Sequence, residues 1–171
     1  MGVPSPPDRQ TPPEARPTPV ERVLALVRVD FADRNRQPRP LGLSLAVAVA
    51  IAGSLVADAV LVAIGTSVFP ATKGYVHFRF SDYGKLTIVG VVIACLAWPI
   101  VTRISSSPQW LFLRLAVLVT LVLWLPDLWI LGKGQPPRAV AILIVMHLAI
   151  AVVTYNSLVH LAPARRAAGS R

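Results

Sequence analysis

The stretch LGLSLAVAVAIAGSLVADAVLVAIGT, residues 41–66, contains a single charged side chain, Asp58. As an α-helix rising about 1.5 Å per residue, this stretch would exceed the roughly 30 Å hydrocarbon thickness of a bilayer. Ala48-Val49-Ala50 has the small-x-small form of a signal-peptide cleavage site, but the apolar stretch before it is too short and the sequence after it stays apolar. The pattern therefore predicts a first transmembrane helix.

Three more apolar segments follow, and short turns separate them from one another. They span residues 85–103, 110–131 and 138–161, and a longer loop at 67–84 precedes them. Hydrophobic residues make up 54% of the chain and charged residues 15%, too few charges to cover a water-soluble domain of this size. We therefore predict an all-α membrane protein, with a four-transmembrane-helix bundle over residues 41–162.

The predicted bundle is flanked by two polar tails. Residues 1–19 are dense in proline and have little to bury, so we expect a disordered cytoplasmic tail. Residues 163–171 form a basic tail, also predicted to be cytoplasmic. Between the first tail and the bundle, residues 20–37 are predicted to form an amphipathic helix on the cytoplasmic side.

The start of the amphipathic helix has a capping pattern. Thr18 supplies a hydroxyl, Pro19 suits the first helical position, and Glu21 places a carboxylate three residues after the cap. The apolar positions recur at helical spacing and form a stripe of Val20, Val23, Leu24, Val27 and Phe31. This stripe could lie in the lipid headgroup layer, or it could pack on a partner protein or on the bundle.

The loop at residues 67–84 carries the other candidate contact surface. From Tyr75 to Phe80 polar and apolar side chains alternate, which predicts a short strand. Its aromatic residues Tyr75, Phe78 and Phe80 are candidates for contact with lipid or with another protein.

Basic residues are distributed unevenly between the two predicted sides. Twelve lie in the N-terminal region, the turn between the second and third helices and the C-terminal tail; five lie on the other side, namely Lys73, Arg79, Lys85, Lys133 and Arg138. Basic residues concentrate on the cytoplasmic side, so we predict a multi-pass protein of the bacterial plasma membrane with both termini inside. Trp98 and Trp110 would then lie near the inner interface, and Trp124 and Trp129 near the outer one. Charge used in this way does not indicate a nucleic-acid partner.

Asp58 is the strongest candidate for a functional residue. An ionised carboxylate is costly in hydrocarbon unless it is paired, hydrated or protonated. Counted from the predicted outer ends of the helices, Asp58, Asp127 and His147 all lie in the outer half of the membrane. Ser54 shares the small-residue face that leads to Asp58, and Thr154 shares the face of His147. We predict an Asp58–His147 pair, with Asp127 nearer the outer surface.

Two interpretations of this pair stay open. A buried Asp–His pair can exchange a proton near neutral pH, as transporter relays do. Alternatively, the pair is an interhelical hydrogen bond that fixes which helices pack together.

The fourth predicted helix carries a resemblance. Val145-Met146-His147-Leu148, the apolar run 149–153 and the earlier stretch 121–126 resemble a family of small four-helix actinobacterial membrane proteins to which no reaction is assigned. The similarity covers residues 41–162. It implies four helices and a bacterial plasma-membrane location, and the family's histidine corresponds to His147. The family pattern does not require a carboxylate at Asp58 or Asp127.

Catalytic and metal-binding patterns are absent from the sequence. His77, His147 and His160 lack metal-ligand spacing, and there is neither a Gly-rich phosphate loop nor a nucleophile elbow. We therefore expect no enzyme activity, metal or cofactor. Our first hypothesis is an accessory or scaffold subunit of a bacterial envelope complex, in contact with membrane lipids and with other membrane-protein subunits or itself. The alternative is a small oligomeric proton- or cation-coupled carrier or channel that uses Asp58 and His147.

Overall fold

The computed structural model describes residues 18–26, 28–29 and 35–166. Within them it has five α-helices: α1 (Pro19–Leu26), α2 (Pro40–Val68), α3 (Phe80–Ile104), α4 (Pro108–Gly132) and α5 (Pro137–Leu161). The last four are each long and apolar enough to cross a membrane. The predicted four-helix architecture is confirmed, whereas the tail predicted at residues 1–19 lies almost entirely outside the described residues.

Proline fixes where three of the long helices begin. Pro40, Pro108 and Pro137 stand at the start of α2, α4 and α5, where the fixed proline φ suits a helix and the missing N–H is not needed. Pro99 and Pro126 lie inside α3 and α4, and both helices continue beyond them. The interior prolines therefore do not end the helices that contain them.

The four long helices place the start of α2 and the end of α5 at the same end of the bundle. We call the end where α2 begins and α5 finishes the termini end, and the end that contains residues 69–79 and 133–136 the loop end. A Cβ added at Gly42 would lie 2.8 Å from the carbonyl oxygen of Leu161, and one added at Gly65 would overlap the side chain of Ile142. Because small residues allow close approach of two helices, α2 and α5 pack from one end of the bundle to the other.

The interior of the bundle differs in polarity between its two halves. The half near the termini end is filled by a cluster of buried apolar residues: Ala46, Ala50, Val91, Cys95, Trp98, Val101, Leu111, Phe112, Leu158, Val159 and Ala162. The buried carboxylates, Asp58 and Asp127, lie on the loop side of this cluster. The fold therefore confines its charged interior groups to one half.

Trp98 is the largest fully buried side chain of the apolar half. Its indole Nε1–H donates to the carbonyl oxygen of Ala162 at 2.8 Å, and its ring meets that of Phe112 edge-on with centroids 5.1 Å apart. Sequence analysis predicted Trp98 near the inner interface, where an amphipathic ring finds partners for its N–H. In the structure the ring satisfies its N–H inside the protein and packs there, and its position relative to the interface stays a prediction.

The amphipathic helix begins as predicted but ends early. The backbone N–H of Thr18 donates to Glu21 Oε2 at 2.6 Å, and the N–H of Glu21 donates to Thr18 Oγ1 at 3.2 Å. This reciprocal pair is a capping box, and it confirms the predicted start. The predicted end at residue 37 is wrong, since α1 finishes at Leu26.

The early end of α1 has a local cause. Arg28 adopts a left-handed backbone conformation with φ of 56°. The N–H groups of Arg28 and Val29 donate to the carbonyls of Ala25 and Leu24 at 3.1 and 2.9 Å. These two bonds form a Schellman motif, which satisfies the last carbonyls of a helix and turns the chain away from its axis.

The chain beyond α1 forms short backbone pairs at the termini end. Val29 makes an isolated antiparallel bridge with Ser105, in the turn between α3 and α4. The two-residue strands β1 (Asn35–Arg36) and β2 (Arg165–Arg166) pair antiparallel, so the chain before α2 is joined to the chain after α5. Part of the predicted helix and part of the predicted basic tail are therefore paired strands.

The loop between α2 and α3 contains 3₁₀ turns at Pro70–Thr72 and Val76–Phe78. The N–H of Phe78 donates to the carbonyl of Tyr75 at 3.0 Å, and the Tyr75 ring meets His77 and Phe78 edge-on. The strand predicted from Tyr75 to Phe80 is wrong. In the described part of the chain no other strand lies beside this segment, so its N–H groups are satisfied locally.

Candidate functional site

Asp58 lies on α2 and is completely buried. The hydroxyl of Thr87 on α3 donates to Asp58 Oδ2 at 2.6 Å, and Asp58 Oδ1 is buried without a hydrogen-bond partner among the described residues. The loop-side neighbours that act on this carboxylate electrostatically include His147 on α5 and Tyr83 on α3. A buried carboxylate with only one bonded oxygen is incompletely satisfied, and a proton, a water molecule or a cation would complete it.

The predicted Asp58–His147 pair is replaced by a different one. His147 Nδ1 lies 3.0 Å from Asp127 Oδ2, on α4. The distance is that of an ion pair, but the two atoms are not aligned as a hydrogen bond, so both keep an unused donor or acceptor direction. The reason for the difference is geometric: α5 lies between α2 and α4, and the face of α5 that carries His147 directs the imidazole to α4.

Asp127 is more deeply buried than its sequence position suggests. Its exposed fraction is 5%, although it follows Pro126 and lies only five residues before the end of α4. Sequence analysis placed Asp127 nearer the outer surface than Asp58. In the structure two loop residues, Tyr75 and His77, interact electrostatically with the Asp127 carboxylate.

Tyr75 belongs to this group although it is in the loop. Its hydroxyl is buried and has no hydrogen-bond partner among the described residues. Burial, with a smaller contribution from the Asp127 carboxylate, raises the pKa of Tyr75 above its ordinary value. The hydroxyl therefore stays protonated and keeps a hydrogen available for donation at the loop side of Asp127.

Two more buried hydroxyls lie deeper in the bundle. Ser54 is one helical turn from Asp58 on the same face of α2, and its Oγ has no partner within the described chain. Thr154, on α5, is also buried and its Oγ1 is likewise unpartnered there. Buried polar atoms in proteins are normally satisfied by protein or by ordered water. These two hydroxyls, which the sequence had already singled out, therefore extend the polar interior beyond the carboxylate.

We call Tyr75, Asp127, His147, Asp58 and Thr87 the interior polar chain. Four of its five side chains carry a buried polar atom without a hydrogen-bond partner among the described residues, and the fifth, Thr87, donates to Asp58. No three His, Cys, Asp or Glu side chains in the described part of the chain are grouped to hold a metal ion. The arrangement can hold a proton, ordered water or a cation bound through oxygen.

Two members of the interior polar chain were not predicted. Thr87 was missed because the second long helix was predicted to begin at Lys85, two residues before it, whereas α3 begins at Phe80 and places Thr87 seven residues inside the helix. Tyr75 could not have been assigned to Asp127, because its position depends on the 3₁₀ turn that replaces the predicted strand.

The predicted contact residues are separated by the structure. On α1, Val20 and Val23 are exposed and Leu24 is half-buried, whereas Val27 and Phe31 lie outside the described residues. In the loop, Phe80 is exposed at the start of α3, and Phe78 and Tyr75 are half-buried. The loop aromatics thus divide between an outward surface and the interior polar chain.

Fold and site together define a class: a bundle of four helices of membrane-spanning length with a polar interior at one end. Comparison with models of protein families, with curated proteins and with solved structures finds no match for this chain. The resemblance based on the sequence around His147 stays a prediction.

Proposed function

We propose that this chain is a non-enzymatic multi-pass membrane protein that takes up a proton or a small cation inside its helix bundle, with Asp58 as the group that holds it. The observation that carries the proposal is the Asp58 carboxyl group, completely buried with one oxygen bonded to Thr87 and the other unpartnered among the described residues. A charged group in that condition is strongly disfavoured. A bound proton or cation would neutralise the carboxylate and so remove the cost of burying its charge.

Access to Asp58 is proposed from the loop end. Tyr75 and His77, in the loop, act electrostatically on Asp127, so polar groups lead from the loop end towards the buried carboxylates. On the opposite side of Asp58 the interior is filled by the apolar cluster around Trp98. An ion moving along the bundle would find carboxylate and imidazole groups only from the loop end to Asp58, and beyond the hydroxyls of Ser54 and Thr154 it would meet the apolar cluster. A carrier or channel role therefore requires self-association or an opening of the apolar half.

The proposed setting is the plasma membrane of a bacterium, with both termini in the cytoplasm. In the sequence, twelve basic residues belong to the N-terminal region, the turn between α3 and α4 with its flanks, and the C-terminal tail, against five elsewhere, and this excess supports the orientation. Uptake from the loop end would then be uptake from outside the cell.

Labelling with dicyclohexylcarbodiimide tests the site. This apolar reagent modifies a protonated carboxyl group in a membrane interior, and peptide mass spectrometry locates the added mass. We expect modification at Asp58, lost in Asp58→Asn. Slower labelling in the presence of sodium would identify a cation as the occupant, and a dependence on pH alone would identify a proton.

A carboxylate near the helix end provides the control for the labelling. Asp82→Asn removes a half-buried acid from the first turn of α3 and should leave labelling of Asp58 unchanged. If Asp58 stays unmodified over the whole pH range in which the protein is folded, the proposal is wrong. Proton uptake into proteoliposomes that is equal for the original chain and Asp58→Asn would exclude transport through this residue.

The second candidate is an accessory or scaffold subunit. It is favoured by apolar side chains that the described structure leaves uncovered outside the long helices, on α1 and in the loop: Val20, Val23, Leu26 and Val76. These would contact other membrane-protein subunits. Purification in mild detergent distinguishes the candidates, since stoichiometric unrelated subunits support the scaffold and a homo-oligomer supports the carrier.

A further inference from the structure

Two arginines share one tryptophan at the termini end. The guanidinium Cζ of Arg114, on the second turn of α4, lies 3.0 Å from the Trp110 ring centroid, and that of Arg28 lies 5.3 Å from it. Both arginines are exposed and Trp110 is half-buried. Contact with an aromatic face stabilises each cation, but it also brings two like charges close together.

The backbone after α1 is shaped to hold this arrangement. Arg28 is in the left-handed region, which is unfavourable for a residue with a side chain, and its carbonyl accepts from Ser105 Oγ at 2.7 Å. Its Nη1 donates to Ser107 Oγ at 3.0 Å, and Arg114 Nη1 donates to the carbonyl of Leu26 at 3.4 Å. The two arginines are therefore fixed between α1 and the start of α4.

Positive charge at this place is not balanced by a described acid. The close contact between Asp127 and His147 is at the other end of the bundle. Glu21 is used to cap α1, and Asp30 and Asp33 lie outside the described residues. The start of α4 adds the positive end of a helix dipole. The charge at this surface is complementary to a phosphate group.

An apolar surface adjoins the two arginines. On α1 the exposed fractions are 66% for Val20, 59% for Val23 and 72% for Leu26. Segments that lie in the interface of an anionic membrane typically combine an amphipathic helix with basic residues and a tryptophan, as α1 and the start of α4 do here. Water alone would leave these side chains unfavourably exposed.

We propose that α1 and the start of α4 form a seat for an anionic phospholipid, whose phosphate lies between Arg28 and Arg114 while Val20, Val23 and Leu26 enter the boundary between headgroups and acyl chains. The site is separate from the interior polar chain and does not depend on the function proposed for it. It ties α1 to the surface of the same membrane that the four long helices are built to cross.

Fluorescence quenching in nanodiscs tests the seat. The full chain carries a bimane probe at Val23→Cys, and unsubstituted chain treated in the same way gives the background from Cys95, which is buried. Nitroxide-headgroup phosphatidylglycerol is added in steps to phosphatidylcholine nanodiscs. We expect saturable quenching, with the apparent affinity weakened about fivefold by Arg28→Gln or Arg114→Gln and more in the double variant.

Arg103→Gln is the matched control. Arg103 is exposed at the last turn of α3, at the same end, and has no hydrogen bond, ion pair or ring contact with the described residues. A general charge effect would make this variant as weak as Arg114→Gln, and that outcome overturns the seat. So does quenching that is the same with uncharged nitroxide lipid, or self-quenching between labelled copies, which would assign the surface to a second chain. Circular dichroism confirms that each variant is folded.

Discussion

Replacement of Thr87 by valine tests the contact on which the interior polar chain depends. The change removes the hydroxyl that donates to Asp58 Oδ2 at 2.6 Å and keeps a β-branched side chain. A hydrogen bond to a charged group contributes about 1.5–3 kcal/mol. We expect the free energy of unfolding to fall by about 2 kcal/mol, in the lower part of that range, because the carboxyl group can take up a proton when its partner is lost.

The assay is a double-mutant cycle in mixed micelles. Thr87→Val, Asp58→Leu and the double variant are unfolded with sodium dodecyl sulfate and followed by circular dichroism. Replacing both partners of a buried hydrogen bond with apolar groups is far less harmful than removing one. Thr87→Val should therefore have little effect in the Asp58→Leu background, giving a coupling energy of about 2 kcal/mol.

Thr120→Val controls for the loss of a buried hydroxyl as such. Thr120 is buried, and its hydroxyl donates to the carbonyl of Ala116 in its own helix at 2.8 Å. That carbonyl is already part of the helix ladder, so we expect a loss below about 0.5 kcal/mol. If Thr87→Val costs the same with and without Asp58, the Thr87–Asp58 contact is not what stabilises this part of the bundle, and the reasoning fails.

Three further predictions concern the apolar half. Gly42→Ala should lower the free energy of unfolding by about 1–3 kcal/mol, because its Cβ would lie 2.8 Å from the backbone oxygen of Leu161, whereas Gly90→Ala, with nothing within 4 Å, should not. Trp98→Phe should cost about 1–3 kcal/mol, because the carbonyl that accepts the indole N–H is buried and loses its donor; equal stability would contradict that bond. Cys95 should resist a water-soluble maleimide in the folded bundle, and rapid labelling would mean that the apolar half is open to water.

The four long helices could be predicted because each depends on the length of an apolar run, which is read directly from the sequence. A run of apolar residues longer than the hydrocarbon layer has few alternatives to a helix, since every backbone group must be paired in lipid. The burial of Asp58 could also be predicted from the sequence, because the small residues on its face of α2 allow a neighbouring helix to approach.

The partner of His147 could not be predicted in the same way. Asp58 and Asp127 both lie at a depth that His147 can reach, and depth is all that counting residues provides. The choice depends on the rotation of α5 about its axis and on which helices are its neighbours, and both arise from packing. The Gly65–Ile142 contact, which helps to fix α5 against α2, involves residues with no polar signal in the sequence.

Local backbone geometry explains the two wrong predictions of secondary structure. The apolar stripe from Val20 to Phe31 has helical spacing, but a left-handed Arg28 ends the helix, and arginine gives no warning of that conformation. Alternation from Tyr75 to Phe80 is typical of a strand, but a strand requires a neighbour. In the described chain the neighbour of this segment is the bundle, and a 3₁₀ turn brings the Tyr75 hydroxyl inward.

The polarity of the interior bears on whether the proposed site would store a proton or cation or transport it. Protons or cations that reach Asp58 from the loop end are stopped by the apolar cluster, where Trp98 is bonded to the chain beyond α5 and packs on Phe112. A protein that only senses or stores a proton needs no change there. A carrier must separate these contacts in every cycle, so it would have to break a buried hydrogen bond and expose apolar surface each time. The stability of the Trp98 contacts would therefore set how readily such a bundle could conduct, and the uptake proposed for a single chain in this arrangement is one-sided.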